Sequence, residues 1–258
     1  MMDGTPEKPT ESAAFEQAWR KRFAKFAESN DDDAGIAGWS ATGLEARLKR
    51  FSRLLEGRAI RGLWLDVGCG AGTYCRLLAA AGAETVAIDY SLLTLRKARQ
   101  RSPTIRQWCV GDANRLPLRR EIFDGVLCFG VTQALVGSEQ AVRELAGSLK
   151  AGGQIWIDGL NTWCLASLVD RLSRRLRGKP MHLRYESPRR LQVLLSNAGL
   201  VKARIFWVPI FPGRLRLLQS MVDNPVARAV FAVAWPLGAF LSHAFIVYAE
   251  KPPETVGS

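Results

Sequence analysis

The sequence predicts an α/β fold in which parallel strands are covered by helices on both faces. From about residue 60 onward, short apolar runs alternate with helix-like segments, and a glycine-rich turn separates the first run from the first helix. Such alternation is typical of βαβ units, because two parallel strands need a long crossover between them. Strands are predicted at Leu63–Val67, Thr85–Ile88, Gln107–Val110, Gly125–Phe129 and Gln154–Ile157, with helices near 72–81, 91–100 and 138–149.

Two amphipathic helices are predicted before the first strand. Apolar residues recur at positions 15, 19, 23 and 26, and a second apolar stripe occupies one face of residues 44–55. This spacing matches the 3.6-residue period of a helix. The acidic run at residues 30–33 is expected to break the first helix, and GIAGWSATG at residues 35–43 is expected to be a flexible loop that carries Trp39.

The C-terminal part is predicted to add helices and two further strands. A very basic helix is expected at 163–178, and a second helix begins at Ser187–Pro188, where serine can cap and proline fits the first turn. Strands are expected near 201–208 and 243–250.

The segment Val226–Ala249 is mostly apolar but is interrupted by Arg228, Pro236 and His243. Its longest uncharged stretch is shorter than the roughly 20 residues that a membrane-spanning helix needs. We therefore expect a buried helix and strand here, with peripheral contact with a membrane surface as the alternative.

The composition indicates which kinds of partner and which kinds of metal or disulfide site the protein is expected to have. A formal net charge of +12 over 258 residues favours anionic partners, although a basic surface can also serve solubility alone. The five cysteines are scattered without a CxxC pair, which argues against a zinc site and a disulfide framework, and we expect no metal. The N-terminus has no apolar signal core, so a cytoplasmic protein is expected, with membrane association as the alternative.

The glycine-rich turn reads LDVGCGAG at residues 65–72. Gly68 and Gly70 begin the dinucleotide fingerprint G-x-G-x-x-G, but the third glycine falls at Gly72 rather than at position 73. Asp66 precedes the turn, where a carboxylate suits an ammonium group better than a pyrophosphate. A plain strand-to-helix turn is the alternative, and the glycines alone do not decide between the two.

Two more carboxylates follow the ends of the next strands. Asp89 ends the second strand, where an acidic side chain can accept from ribose hydroxyls, although it could also cap the following helix. Asp112 follows the third strand. Since the carboxyl ends of parallel strands meet at one edge of the sheet, these groups are expected to lie together.

In their order along the chain, these motifs resemble those of the class I S-adenosylmethionine-dependent methyltransferases, particularly the enzymes acting on quinones, lipids and metabolites. The matching motifs are Asp66–Gly72, Asp89, Gly111–Ala113, Phe123–Asp124 and LKAGG at 149–153. The resemblance covers residues 60–160. It implies a Rossmann-like seven-stranded, mostly parallel sheet with helices on both faces and an antiparallel last strand. It also implies S-adenosyl-L-methionine as the cofactor.

The resemblance assigns roles to the matching residues. Gly68, Gly70 and Gly72 would line the methionine end of the cofactor, and Asp66 would accept from its amino group directly or through water. Asp89 would hold the ribose hydroxyls, and Asp112 the adenine amino group, with Ala113 meeting the ring through its backbone. These assignments follow the motif position by position.

The resemblance also implies a lid and a domain organisation. Residues 1–57 would form an N-terminal tail and helical lid, and 58–258 the methyltransferase domain, with an insertion at about 209–241. Trp39 would close the site from above or remain a loop residue, whereas the stripe containing Trp19 favours core packing.

The acceptor is expected to be a small or lipid-like molecule methylated at oxygen or carbon, with an anionic molecule as one option. The segment after the fourth strand, GVTQ, lacks the Asn/Asp-Pro-Pro-aromatic motif of DNA base methylation. His182 is the candidate general base, with a structural or surface histidine as the alternative; Tyr185 and Glu186 are weaker candidates, and His243 is expected to be structural. Two rivals stay open: an RNA methyltransferase, although nucleic acid is not favoured as a partner, and a non-catalytic methyltransferase-like binding subunit.

Overall fold

The computed structural model describes residues 11–179, 183–210, 219, 224, 226, 229–231 and 234–254. Three helices precede the first strand: α1 (Glu11–Ser29), α2 (Asp33–Ile36) and α3 (Ala41–Leu55). The two predicted amphipathic helices are confirmed as α1 and α3. The short α2 was not predicted, and it forms because the Asp32 carboxylate accepts a hydrogen bond from the Gly35 backbone N–H.

From Leu63 the predicted alternation of strands and helices is confirmed. The elements are β1 (Leu63–Val67), α4 (Thr73–Ala80), β2 (Glu84–Asp89), α5 (Leu92–Arg101), β3 (Gln107–Val110), β4 (Phe123–Cys128), a 3₁₀ turn (Thr132–Ala134), α6 (Glu139–Ser148) and β5 (Leu149–Leu160). β5 is longer than predicted because it begins directly after α6, ahead of the glycine pair at 152–153.

After β5 the described elements are α7 (Leu165–Leu176), α8 (Pro188–Asn197), β6 (Val201–Val208), α9 (Trp235–Leu241) and β7 (Ala244–Glu250). Ser187 caps α8 by accepting a hydrogen bond from the Arg190 backbone N–H, and Pro188 occupies the first turn, as predicted. Both late strands are confirmed.

The seven strands form one sheet in the order β3-β2-β1-β4-β5-β7-β6. β7 is antiparallel to both of its neighbours, and the paired strands β1 to β5 are parallel. The Rossmann-like sheet with one antiparallel strand is thereby confirmed. The strand order reverses between β1 and β4, and ligands bind at such a switch point in open α/β sheets.

Helices bury both faces of the sheet. On one face α6 and α8 contribute Leu145, Leu191 and Leu195, all fully buried. On the other face Phe51 of α3 packs edge-on against Trp156 of β5, with ring centroids 5.3 Å apart. Helix α3 therefore belongs to the same core as the strands that follow it.

The expectation of a buried helix within Val226–Ala249 is wrong. β7 is buried, but α9 exposes Leu237, Phe240 and Leu241 to solvent. Most of the predicted insertion at 209–241 lies outside the described residues, and the division of the chain at residue 57 stays a prediction. Within the described part of the chain, no helix combines the length and apolarity that crossing a bilayer requires.

Candidate cofactor site

A cavity lies at the carboxyl edge of the sheet, beside the switch point. Its floor is formed at the carboxyl ends of β1 to β4 by Val67, Gly68, Gly70, Asp89, Tyr90, residues 111–114 and residues 129–131. Its roof is formed by Glu16, Trp19, Arg20 and Phe23 of α1 and by Ile36, Ala37 and Trp39 in and after α2. The cavity has about 850 Å³ of empty space, part of it open to solvent.

The glycine turn forms the floor under β1. The backbone N–H groups of Gly68 and Cys69 both donate to the Ile88 carbonyl, at 2.8 and 3.0 Å, which fixes the turn against β2. Gly68 has φ +73°, and a Cβ on it would lie 2.2 Å from the Val131 side chain. Only glycine satisfies both conditions.

The other two glycines differ in what they face. Gly70 lines the cavity under Ala37 of the roof. Gly72 precedes α4 in the left-handed conformation and faces Ser102 and Trp108 instead. The structure thus brings Gly68 and Gly70 to the cavity, whereas Gly72 shapes the turn into the helix.

Asp89 joins the glycine turn to the end of β2. Its Oδ2 accepts from the Gly70 N–H at 3.1 Å and its Oδ1 from the Ser91 N–H at 2.9 Å. Burial raises the pKa of Asp89 to about 6, outweighing these two backbone donors, which lower it. The carboxylate lines the cavity and holds the turn, whereas the cap of α5 is Ser91, whose hydroxyl accepts from the Thr94 N–H. The role predicted for Asp89 toward ribose hydroxyls stays a prediction.

Asp112 lies in the cavity wall after β3. Its Oδ1 accepts from the Asn114 N–H at 2.9 Å, and its Oδ2 accepts from the Arg20 guanidinium of the roof at 2.6 Å. Ala113 is buried beside it. The Arg20 contact could not be predicted, because it joins residues 92 positions apart.

Asp66 does not line the cavity. Its carboxyl group is buried and accepts a hydrogen bond from the Cys75 thiol of α4 at 3.1 Å. Burial raises the pKa of Asp66 to about 7, with the nearby Asp89 charge adding to the rise. The role predicted for Asp66 toward a bound amino group stays a prediction.

The roof presents aromatic and apolar side chains to the cavity. Trp19 and Phe23 of α1 pack with ring centroids 5.1 Å apart, and Ile36 is buried next to them. The Trp39 ring fills the space that a side chain at Gly130 would need. Trp19 is core-packed, as expected, and it also lines the cavity together with Trp39.

Ion pairs fasten the roof to the helices below. The Asp33 carboxylate binds Arg76 of α4 and Arg101 of α5, and it accepts from the Thr73 hydroxyl at 2.6 Å. The Lys97 ammonium contacts Asp31 at 2.8 Å and lowers the pKa of that carboxyl group. The acidic run follows the end of α1, as expected, and it is also the contact between roof and domain.

A buried ion pair lies behind the floor and was missed by sequence reasoning. The Arg47 side chain of α3 donates to Asp158 Oδ2 at 3.0 Å, while Asp158 Oδ1 accepts from the Gly130 N–H at 2.7 Å. Arg47 also lies over the Trp39 ring, at 4.4 Å from its centroid. The available signal was the position of Arg47 on the apolar face of α3, next to Leu44 and Leu48.

The Tyr74 hydroxyl is buried near this pair and has no hydrogen-bond partner among the described residues. Burial raises its pKa well above the usual value, so the group is a neutral phenol at pH 7. A buried, unpaired hydroxyl is unusual in a folded protein. Tyr74 lies outside the residues that line the cavity.

The candidate base His182 lies outside the described residues. His243 is largely buried, with its ring edge-on to Tyr185, and burial lowers its pKa to about 4, so that its imidazole is neutral at pH 7. Glu186 is buried and accepts from the Ser138 hydroxyl at 2.8 Å, in contact with Arg184. In the described part of the chain, no group of His, Cys, Asp and Glu side chains could hold a metal ion.

The floor fits S-adenosylmethionine. Gly68 and Gly70 leave the backbone bare for close approach, and Asp89 and Asp112 offer carboxylate oxygens suited to hydroxyl and amino donors. The apolar roof can exclude water from the same space.

Comparison with known proteins identifies the domain. Residues 65–157 match the family described as "Methyltransferase domain". The chain is 34% identical over 146 residues to a biotin biosynthesis bifunctional protein of Cellvibrio japonicus, covering 57% of this chain and 28% of that protein. It is 28% identical over 239 residues to a ubiquinone biosynthesis O-methyltransferase of Xanthomonas axonopodis, covering 85% and 96% of the two chains.

The structural comparison agrees. Magnesium protoporphyrin IX methyltransferase of Synechocystis, solved with bound S-adenosylhomocysteine, superposes with a TM-score of 0.59 at 15% identity, covering 93% of this chain and 97% of that one. The chain spans less than two thirds of the length of several curated relatives it matches. The glycine turn, the strand-end carboxylates, the sheet order and these matches agree. Residues 65–157 thus form a methyltransferase domain of the class I S-adenosylmethionine-dependent type, whose cofactor is S-adenosylmethionine.

Proposed function

We propose that the protein transfers a methyl group from S-adenosylmethionine to a small or lipid-like acceptor, at oxygen or carbon. The cavity carries the proposal, since a floor of bare backbone and carboxylates meets an aromatic roof at the switch point. Two curated relatives act in quinone pathways by name: the ubiquinone biosynthesis O-methyltransferase and a demethylmenaquinone methyltransferase of Streptomyces griseus. Their names support an acceptor of this class.

The chain's own residues would bind, orient and shield. The Gly68 and Gly70 backbones and the Asp89 and Asp112 carboxylates would hold the cofactor, which supplies a methyl group already activated as a sulfonium. Trp19, Phe23 and Trp39 would keep water from the reacting atoms. Because such transfer is a direct displacement, alignment of the acceptor is the main task left to the protein.

A proton must leave when the acceptor arrives as a hydroxyl or a carbon acid. His182 is our candidate for this base. This role is not needed for cofactor binding, so the two parts of the proposal can be tested separately.

Calorimetric titration with S-adenosylmethionine and S-adenosylhomocysteine tests the cofactor part. Asp89→Asn should weaken binding about tenfold to a hundredfold, as expected for hydrogen bonds to a charged group. Asp124→Asn is the matched control, since Asp124 lies at the start of β4 and contacts Leu63 and Lys150 rather than the cavity. Because Asp89 also holds the glycine turn, thermal unfolding of each variant shows whether the fold persists.

Transfer of labelled methyl to quinol, phenol and lipid acceptors, and to RNA, tests the acceptor part. Label in RNA that falls steeply with added salt would replace the small-molecule proposal, and the net charge of +12 is a feature that favours it. A folded wild type that binds neither form of the cofactor would leave the non-catalytic subunit as the better reading.

A further inference from the structure

Helix α7 has its apolar face turned outward. Five apolar residues recur at helical spacing along one side of the helix and are all exposed: Leu165, Leu168, Val169, Leu172 and Leu176. Leu172 and Leu176 are 59% and 79% exposed. A surface helix of a globular protein normally turns such a stripe toward the core. We call these five residues the α7 stripe.

The polar side of the same helix faces the protein. Ser167 is fully buried, and the Asp170 carboxylate accepts from the Tyr185 hydroxyl at 3.2 Å. Arg171 donates to the Thr162 hydroxyl at 2.5 Å. These contacts fix the rotation of α7 about its axis, so the outward position of the stripe follows from specific bonds between α7 and the domain.

Helix α9 extends the apolar surface. It packs against α7, and its exposed residues Leu237, Phe240 and Leu241 again share one face. Two adjacent helices that both expose apolar faces make a surface broader than the single apolar side chains scattered over any protein. Such a surface marks an interaction site.

The charges around the α7 stripe indicate what it contacts. Residues 165–179 contain five basic residues and one acidic residue, and Arg175, Arg177 and Lys179 are exposed at the end of the helix. An apolar stripe flanked by arginines is the pattern of a helix lying in the interface of an anionic bilayer. A second copy of this chain would place the same arginines opposite one another, which opposes self-association through this face.

We infer that α7 and α9 dock the protein on the surface of an anionic phospholipid membrane, with the α7 stripe inserted among the acyl chains and the arginines on the headgroups. β5 runs parallel to β1 and β4, so its carboxyl end lies at the edge of the sheet that carries the cavity. Helix α7 comes next in the chain after that end of β5. The inference concerns binding alone and holds whichever reaction the cavity performs.

Sedimentation of the full chain with vesicles tests the inference. The probes are vesicles of phosphatidylcholine alone and vesicles of phosphatidylcholine with phosphatidylglycerol. Wild type should pellet with the mixed vesicles and much less with the neutral ones. Leu172→Glu/Leu176→Glu should weaken binding at least tenfold, because it puts charge at the most exposed part of the α7 stripe.

Two further variants separate the contributions. Arg175→Gln/Arg177→Gln should lower affinity for the mixed vesicles roughly fivefold per arginine and leave binding to neutral vesicles unchanged. Leu92→Glu/Val193→Glu is the matched control: it makes the same charge change at two exposed apolar residues on α5 and α8, and it should bind like wild type. Unchanged thermal unfolding would show that all variants fold.

Several outcomes would overturn the inference. One is a wild type that stays in the supernatant with the mixed vesicles, and another is equal loss of binding in the control and the stripe variant. Light scattering without lipid gives the third: a wild-type dimer that the stripe variant dissociates would show that a second copy covers the stripe. A thermal unfolding midpoint lowered by the stripe substitutions would show instead that another segment of this chain packs on it.

Discussion

The floor and the roof of the cavity are held in place by different forces. The floor is fixed by backbone conformation and buried hydrogen bonds, such as those from Gly68 and Cys69 to the Ile88 carbonyl. The roof is fastened largely by partly exposed ion pairs, such as those of Asp33 and Asp31. Buried, sterically determined contacts are strong and insensitive to salt, whereas exposed pairs contribute little each and are screened. The cavity therefore has a rigid side and a side suited to opening.

Gly68→Ala should have the largest effect on stability and on cofactor binding, because it changes a residue of the floor itself. The new Cβ would meet Val131 at 2.2 Å and would also be held at φ +73°. Left-handed strain and overpacking together should lower the free energy of unfolding by about 3 kcal/mol or more and abolish cofactor binding. Urea unfolding and calorimetry measure the two effects.

Gly57→Ala is the matched control for this substitution. Gly57 has φ +74°, but a Cβ there would have nothing within 4 Å. It should cost only the conformational part, about 1 to 2 kcal/mol, and leave cofactor affinity unchanged. Equal losses for the two variants would contradict the claim that close approach to Val131 is what requires glycine at position 68.

The pH dependence of stability should separate the two regions by sign. Burial raises the pKa of Asp66 to about 7 from a usual value of 3.8, so the stability it contributes is full at low pH and is lost as pH rises to 7. The Lys97 contact lowers the pKa of Asp31 in the roof, so that ion pair is lost instead as pH falls. Rising pH thus weakens the buried end of β1, next to the floor, while the exposed roof pairs stay intact.

Asp66→Asn should remove most of the decrease in the free energy of unfolding that wild type shows as pH rises. The variant cannot ionise, so wild type should lose about 3 to 4 kcal/mol relative to it between about pH 4 and pH 7. Urea unfolding at several pH values measures the difference. Asp89, whose pKa of about 6 acts in the same direction, and Asp158, whose pKa burial also raises, contribute to any slope left in the variant. Parallel curves for both proteins would show that Asp66 is not the buried acid responsible.

The difference between locally determined contacts and contacts across the fold also determines what the sequence could predict. The strands, their order of appearance and the floor residues Gly68, Gly70, Asp89 and Asp112 were predictable, because local apolar periodicity and turn chemistry determine them. The bounds of β1, β3 and β6 matched the predictions. These features depend on residues close together in the chain.

The rest depends on contacts between distant residues. Sequence alone does not place Arg47 on Asp158, 111 residues away, or turn the apolar face of α9 outward. Asp66 shows the limit within the motif itself, since its neighbour Cys75 on α4 takes its carboxylate away from the cavity. Side-chain partners across elements are set by packing, which no local pattern encodes.

Arg20→Ala should have the smallest effect on stability and a measurable effect on binding. The Arg20–Asp112 pair is exposed on both sides, so after screening its loss should cost less than about 1 kcal/mol of stability. Yet Arg20 occupies Oδ2 of Asp112, whose carboxylate we propose to hold the cofactor and whose Oδ1 already accepts from the Asn114 N–H. Freeing that oxygen should tighten S-adenosylmethionine binding by up to about fivefold, as expected when a competing contact of this strength is removed.

Calorimetry at low and high salt gives the decisive comparison, with Arg106→Ala as a control arginine outside the cavity lining. If Arg20 competes for Asp112, salt should tighten binding by wild type toward the value of the Arg20→Ala variant, because screening weakens the ion pair in the free protein. Weaker binding by Arg20→Ala at both salt concentrations would mean that Arg20 is itself a cofactor ligand. The roof would then be part of the binding site rather than a cover whose Arg20 contact must break before the cofactor binds.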